Sequence, residues 1–210
     1  MKIEAVIFDM DGVLIDAREW HYESLNRALE LFGYKISRAD HLSRYDGLPT
    51  KTKLQMLSDS VQFPVKLHRF VNELKQAYTL EIVHTKCKPT FAQERALSLL
   101  RAENFKLAVA SNSVRASVEA MMAKSNLEQY LDIMMSNEDV SKPKPDPEIY
   151  LATMERLAVD PAKTLIVEDN ENGVKAARAS GAHVLVVSDP SEVNIQNIRQ
   201  AILRAEGQSA

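Results

Sequence analysis

The stretch Val6-Ile7-Phe8-Asp9-Met10-Asp11-Gly12-Val13 decides how the rest of the chain is read. An apolar run ends in two carboxylates one residue apart, and Gly12 then frees the backbone to turn. In an extended segment residues i and i+2 share a face, so Asp9 and Asp11 start out aimed at one space. Two anions held together repel, and the repulsion calls for a cation, a shared proton or another partner. The pair predicts phosphoryl-transfer chemistry at the end of a buried strand, provided the rest of the chain brings suitable groups to the same place.

Outward from this stretch, Ile3 to Phe8 is apolar and β-branched over about one strand length, the pattern of a strand buried on both faces. The period then becomes helical. His21, Leu25, Ala28 and Phe32 line one helix face, with Gly33 as a C-terminal stop. Thr50 to Leu57 predicts a short helix, and Leu67, Phe70, Val71, Leu74, Tyr78 and Ile82 repeat the helical spacing. No strand is predicted between Ile15 and Cys87. That region reads as an all-helical insert.

Beyond Lys88-Pro89 the chain alternates. Thr90 and Gln93 have the spacing of a capping box opening a helix through Leu100. Strands are predicted at Phe105 to Ala110, Leu131 to Met135, Thr164 to Val167 and His183 to Val187. Between and after them lie helices at Val114 to Lys124, from an Asp146 cap to about Leu157, on Val174, Ala177 and Ala179 as far as Gly181, and over Ile195 to Ala205. Strands separated by helices require right-handed crossovers and a parallel sheet. The expectation is a doubly wound, Rossmann-like α/β core at 1–16 and 86–210, interrupted by a helical domain at 17–85. The tail Gly207 to Ala210 is expected to be disordered.

Composition narrows the function classes. The chain has 210 residues, 45% of them hydrophobic, with a net charge of −3 and no long basic run, so a nucleic-acid partner is not expected. One cysteine, Cys87, forms no internal disulfide, and there is no CxxC pair for zinc or redox work. Too few residues precede the acidic pair for a signal peptide, and no apolar run reaches the ~20 residues of a membrane span. A cytoplasmic monomer without a membrane partner is the expectation. The six glycines form neither GxGxxG nor a P-loop, which argues against nucleotide cofactors.

In open parallel sheets ligands bind beyond the carboxyl ends of the strands. Asp9 and Asp11, Ser111-Asn112, Glu168-Asp169, and Lys142 within Ser141-Lys142-Pro143-Lys144-Pro145-Asp146-Pro147 all fall at such ends or in loops beside them. Asp9, Asp11, Glu168 and Asp169 bring four negative charges against one positive charge on Lys142. A hard divalent cation with oxygen ligands, most simply Mg²⁺, together with one protonated carboxyl, balances the set. A carboxyl crowded by like charges has the raised pKa of a general acid.

Taken together, Phe8-Asp9-Met10-Asp11-Gly12-Val13, Ala110-Ser111-Asn112, Ser141-Lys142-Pro143-Lys144-Pro145-Asp146 and Val167-Glu168-Asp169-Asn170, with Gly173 and Ala176-Ala177 behind them, resemble the four motifs of the haloacid dehalogenase-like superfamily. Their order resembles its phosphatase and β-phosphoglucomutase-like branch. The resemblance covers the whole chain, with the helical insert similar to the family's cap domain. It implies Asp9 as nucleophile, Asp11 as general acid and base, and Ser111, Asn112 and Lys142 as phosphate-binding groups. Mg²⁺ would be held by Asp9, Asp11, Glu168 and Asp169. Lys144 is expected to face water. Because the dehalogenase branch lacks the second aspartate, Asp11 argues against dehalogenation.

In the insert, His21 stands where many relatives carry histidine, which implies a hinge or acid–base role, although its line with Leu25, Ala28 and Phe32 equally suits a packed histidine. Gly47 to Lys53 resembles the cap loop. The mutases tend to place an arginine where this chain has Thr50, which weighs against mutase activity. Lys75 reads as a solvated charge, with contact to substrate as the alternative, and Cys87 as packed. The leading expectation is a Mg²⁺-dependent phosphatase acting on a small phosphorylated metabolite, a sugar phosphate, through an aspartyl phosphate. A phosphosugar mutase and a non-catalytic phospho-acceptor module are the alternatives.

Overall fold

The computed structural model describes residues 2–207. Of the expected disordered tail, residues 208–210 lie outside the described residues. The chain divides into two compact units: one runs to Asp16 and resumes at Lys88, and the other is Ala17–Cys87.

The first unit is built on a five-stranded parallel sheet. Its strands are β1 (Ala5–Phe8), β2 (Lys106–Ala110), β3 (Ile133–Met135), β4 (Thr164–Glu168) and β5 (His183–Val186), in the order β3-β2-β1-β4-β5. Val6, Ile7 and Phe8 have no measurable exposure because β1 lies at the centre, with neighbours on both edges and helices over both faces. Strand order steps one way from β1 to β3 and then jumps back to β4, so the β1/β4 boundary is the topological switch point where such sheets open a crevice.

The helices of this unit are close to the pattern read from periodicity. The chain's second unit supplies α1 to α4, described below; the sheet is crossed by α5 (Phe91–Ala102), α6 (Arg115–Lys124), α7 (Glu148–Leu157), α8 (Glu171–Ala179) and α9 (Ile195–Ala205). Three local expectations are corrected. At α5 the Thr90 hydroxyl donates to the Gln93 side-chain oxygen, and Gln93 Nε2 donates to the Pro190 carbonyl at 2.6 Å, so no capping box forms. The glutamine satisfies a distant carbonyl instead. At α7 Asp146 does accept the Glu148 N–H, at 3.1 Å, but Pro147 occupies the cap position. On α8 the buried residues are Gly173, Ala176 and Ala177, while Ala179 is exposed because it falls off the helical stripe that these residues and Ser180 form.

The second unit is helical throughout the described residues: α1 (Arg18–Glu30), α2 (Arg38–Asp40), one π-helical turn at His41–Tyr45, α3 (Thr50–Val61) and α4 (His68–Lys86). Leu25, Ala28, Leu29, Leu54, Leu57, Phe63 and Val71 form its core. Phe70, expected on the buried face, is half exposed and meets Phe32 edge-on at 6.1 Å. Cys87 is buried and free of any disulfide. No helix among the described residues is long and apolar enough to cross a membrane.

Candidate active site

Asp9 immediately follows β1, and its N–H continues the ladder by donating to the Val167 carbonyl at 2.9 Å. The backbone then closes tightly. Gly12 adopts a φ of 91°, its N–H reaches the Ile15 carbonyl at 2.7 Å, and the Met10 carbonyl accepts the N–H groups of Leu14 and Ile15. Only a residue without a Cβ takes that φ at little cost. The turn separates the surroundings of the two aspartates: Asp9 is 5% exposed, and Asp11 is half-buried.

Lys144, Glu168 and Asp169 gather at Asp9, and Tyr150 stands behind Glu168 and Lys144. Lys144 Nζ, buried, donates to Asp9 Oδ1 at 2.6 Å, to Glu168 Oε1 at 2.8 Å and to the Ala110 carbonyl at 2.8 Å. Glu168 ends β4 with no exposure, and its other oxygen accepts the Asp169 N–H at 3.0 Å. Tyr150, on α7, donates its hydroxyl to Glu168 Oε1 at 2.5 Å, and its ring lies 4.6 Å from Lys144 Nζ. Asp9, Glu168 and Asp169 each offer a carboxylate oxygen within 4.8 Å of the others. The approach depends on Gly173: a Cβ there would stand 1.8 Å from Glu168 Oε1.

Lys144, not Lys142, is the lysine of this site. The Lys142 side chain is 72% exposed and lies 3.9 Å from Asp146. Glu148 holds the start of the loop outward by accepting the N–H groups of Ser141 and Lys142 at 2.8 and 2.9 Å. Asn112 then draws the loop in, with Oδ1 accepting the Lys144 N–H at 3.0 Å and Nδ2 donating to the Lys144 carbonyl at 3.3 Å. Asn112, expected to bind phosphate, thus grips the backbone that carries Lys144. Lys144, expected in water, is enclosed.

The loop after β2 serves Asp11. Ser113 Oγ donates to Asp11 Oδ2 at 2.8 Å, and Ser111 Oγ lies 3.5 Å from the same oxygen. Neither Ser113 nor Tyr150 belongs to the residues that the sequence motifs single out. Tyr150 sits among the apolar residues of a helix, where a buried phenol needs a hydrogen-bond acceptor, and that requirement is the signal that points to a buried carboxylate.

The electrostatics follow from this crowding. Burial, the largest influence, pushes the Asp9 carboxyl well above its ordinary range; Lys144 pulls it down, while Glu168, Asp169 and Asp11 push it further up. Burial would lower the Lys144 ammonium, but Asp9 and Glu168 outweigh it and hold the group above the usual lysine value. Tyr150 is raised well above an ordinary phenol by burial and then by Glu168.

The remaining candidates lie in the second unit. Lys75 is buried with Nζ 3.1 Å from His21 Nδ1, which corrects its reading as a solvated charge. Gly47 has a φ of 69° in the loop before α3, and Thr50 is the first residue of that helix.

A family model for haloacid dehalogenase-like hydrolases matches residues 6–187. The chain belongs to this family. A phosphorylated carbohydrates phosphatase of Thermotoga maritima is 34% identical over 182 residues, 85% of this chain and 82% of that protein. A phosphoglycolate phosphatase of Nitrosospira multiformis is 30% identical over 89% of this chain and 84% of that one. The fold is shared with a β-phosphoglucomutase of Clostridium difficile, at a TM-score of 0.85 and 20% identity over 98% of this chain and 100% of that one. Within the haloacid dehalogenase-like hydrolases the chain falls in the phosphatase and β-phosphoglucomutase-like branch, and it is a phosphoric monoester hydrolase. The non-catalytic alternative is thereby set aside.

Proposed function

We propose that this enzyme hydrolyses a small phosphorylated metabolite, with sugar phosphates as the substrate class, through an aspartyl phosphate on Asp9. The observation that carries the reading is the Asp9–Lys144 contact at 2.6 Å, in a cluster that Glu168 and Asp169 join. The likeness to the Thermotoga maritima phosphatase supports the substrate class.

A carboxylate oxygen of Asp9 attacks phosphorus, the bond from phosphorus to the ester oxygen breaks, and Asp11 gives that oxygen a proton. Asp11, now a carboxylate, takes a proton from water as the water oxygen attacks the phosphoenzyme; inorganic phosphate leaves and Asp9 is restored. Lys144 neutralises part of the charge between Asp9 and the incoming phosphoryl oxygens, and Ser111 offers them a hydroxyl donor.

The donor set suits a divalent cation. Asp9, Glu168 and Asp169 present only oxygen, and Lys144 alone does not balance them and Asp11; burial first, and then these neighbouring carboxylates, push Asp9 upward. Asp9, Asp169 and Glu168, with the Asp11 carbonyl, would hold Mg²⁺. When bound, it neutralises charge on the transferring phosphoryl group and favours ionised Asp9. The helical unit Ala17–Cys87 is assigned the role of a cap that selects substrate.

The test is phosphate release from a panel of sugar phosphates with Mg²⁺, with chelator, and in Asp9→Asn. Release that requires the metal and the Asp9 carboxylate, with label from radioactive substrate phosphate trapped on the protein, is expected. Full activity in Asp9→Asn contradicts the mechanism. Conversion of one sugar phosphate into another with little free phosphate replaces hydrolysis by the mutase reaction.

A further inference from the structure

We infer that Ser113 is a positioning residue for Asp11: its hydroxyl fixes the rotamer of the Asp11 carboxyl and selects the oxygen that exchanges a proton with the substrate. The inference rests on the role of Asp11 proposed above.

The Ser113 hydroxyl donates to Asp11 Oδ2 at 2.8 Å, well inside hydrogen-bond range, whereas Ser111 Oγ stands at 3.5 Å from the same atom. The contact is built into the backbone. The Ser113 N–H donates to Ser111 Oγ at 3.0 Å, and the Ser113 carbonyl accepts the Asn137 N–H at 3.1 Å. Asn137 Nδ2 also donates to the Asn112 carbonyl at 2.8 Å. Residues on both sides of the Ser113 Cα are therefore held by groups from the loop itself and from the segment after β3. The backbone that carries Ser113 cannot drift from Asp11 without breaking these bonds.

The consequence for chemistry is directional. The terminal torsion of an aspartate is broad and nearly two-fold, so an unassisted carboxyl samples many orientations and can carry its hydrogen on either oxygen. A hydroxyl donating to Oδ2 assigns that oxygen the accepting role and places the acid hydrogen on Oδ1. The two serines then divide their work. Ser111, whose oxygen accepts the Ser113 N–H, reaches Asp11 Oδ2 only at 3.5 Å, so its hydroxyl hydrogen is readily given up to a phosphoryl oxygen. Ser113 serves the proton-transfer group.

Because Ser113 acts through Asp11, its removal must appear in the step that protonates the leaving oxygen. Two generic probes separate that step from binding and folding. Phenyl phosphate releases a poor leaving group that needs a proton, and p-nitrophenyl phosphate releases one that departs without it. In the full-length Mg²⁺-loaded enzyme, Ser113→Ala is expected to lower kcat/KM for phenyl phosphate by about tenfold and for p-nitrophenyl phosphate by less than about threefold. Ser113→Thr, which keeps the hydroxyl, restores the wild-type ratio, and the equally shaped Ser113→Val does not. This second pair carries the comparison independently if alanine loosens the fold.

Equal losses on both probes, no loss on either, or a ratio that threonine fails to restore overturns the inference. Asp11→Asn separates the two levels of the argument. If Asp11→Asn discriminates between the probes and Ser113→Ala does not, the role of Ser113 falls and that of Asp11 stands. If Asp11→Asn keeps wild-type rates on both, or the wild type hydrolyses neither, the reading of the site fails and this inference with it.

Discussion

Lys144 Nζ donates to Asp9 Oδ1 at 2.6 Å, across 135 residues of sequence, and both side chains are almost wholly enclosed. The ammonium also meets Glu168 Oε1 at 2.8 Å and so lies between two carboxylates at the ends of adjacent parallel strands. An ion cluster enclosed this way depends on its partners, since one removed member leaves an uncompensated buried charge.

Lys144→Ala is therefore expected to remove nearly all phosphatase activity and to cost about 3–5 kcal/mol of stability, the usual penalty for breaking a buried pair. Lys142→Ala is expected to stay within about twofold of wild type and about 0.5 kcal/mol, because an exposed charge near Asp146 contributes little. Steady-state rates and urea midpoints for the two variants check the assignment. The opposite ranking would return the role to Lys142.

Gly173→Ala tests the closeness of α8 to the carboxylate cluster. The added Cβ would stand 1.8 Å from Glu168 Oε1, a distance no side chain tolerates, so the carboxylate or the helix has to shift. The cost of such overpacking is about 1–3 kcal/mol. If Glu168 is the group that moves, the Mg²⁺ concentration giving half-maximal rate rises as well. Unchanged stability and unchanged metal dependence would show that the helix adjusts freely.

Tyr150→Phe removes the phenolic donor to Glu168 Oε1 and keeps the ring beneath Lys144. Glu168 retains Lys144 on the same oxygen and the Asp169 N–H on the other. A loss of about 1–2 kcal/mol in denaturant unfolding is expected, with activity reduced by less than about tenfold. Tyr150→Ala adds an aromatic cavity and should cost about 3–5 kcal/mol.

The pattern of legibility follows from what each signal measures. Burial on both faces made β1 and β4 readable as short apolar runs, and Ile195–Ala205 was readable to the residue because one helix face is apolar and the other polar. The carboxylates were readable because strand ends in a parallel sheet converge. The lysine was not. Lys142 and Lys144 are two residues apart in one turning loop and are distinguished by Glu148, at the start of the helix that follows, and by Asn112, which reaches the loop from 32 residues away. The same limit hid Ser113 and Tyr150, whose roles come from partners 102 and 18 residues away. At Thr90 and Gln93 the spacing of a cap was present, but a carbonyl at Pro190 competed successfully for the glutamine.

His41 gives the helical unit an acid-sensitive stability. The residue is 1% exposed, neither ring nitrogen has a hydrogen-bond partner, and the ring packs against Tyr22 at a centroid distance of 5.1 Å. Burial, the main cause, together with Lys53, His21 and Arg38 and against the opposing pull of Asp46, lowers its pKa to about 4. The unfolded chain binds this proton near the ordinary value of about 6.5, so between that pH and about 4 it holds more protons than the folded unit. The stability contributed by neutral His41 is full above about 6.5 and is lost as pH falls through that window, by about 3 kcal/mol in total. Urea unfolding of wild type and His41→Leu at a series of pH values isolates the effect. The wild type should weaken relative to the variant as pH falls from about 6.5 to 4, and a constant difference between the two would mean that the ring takes up its proton without unfolding.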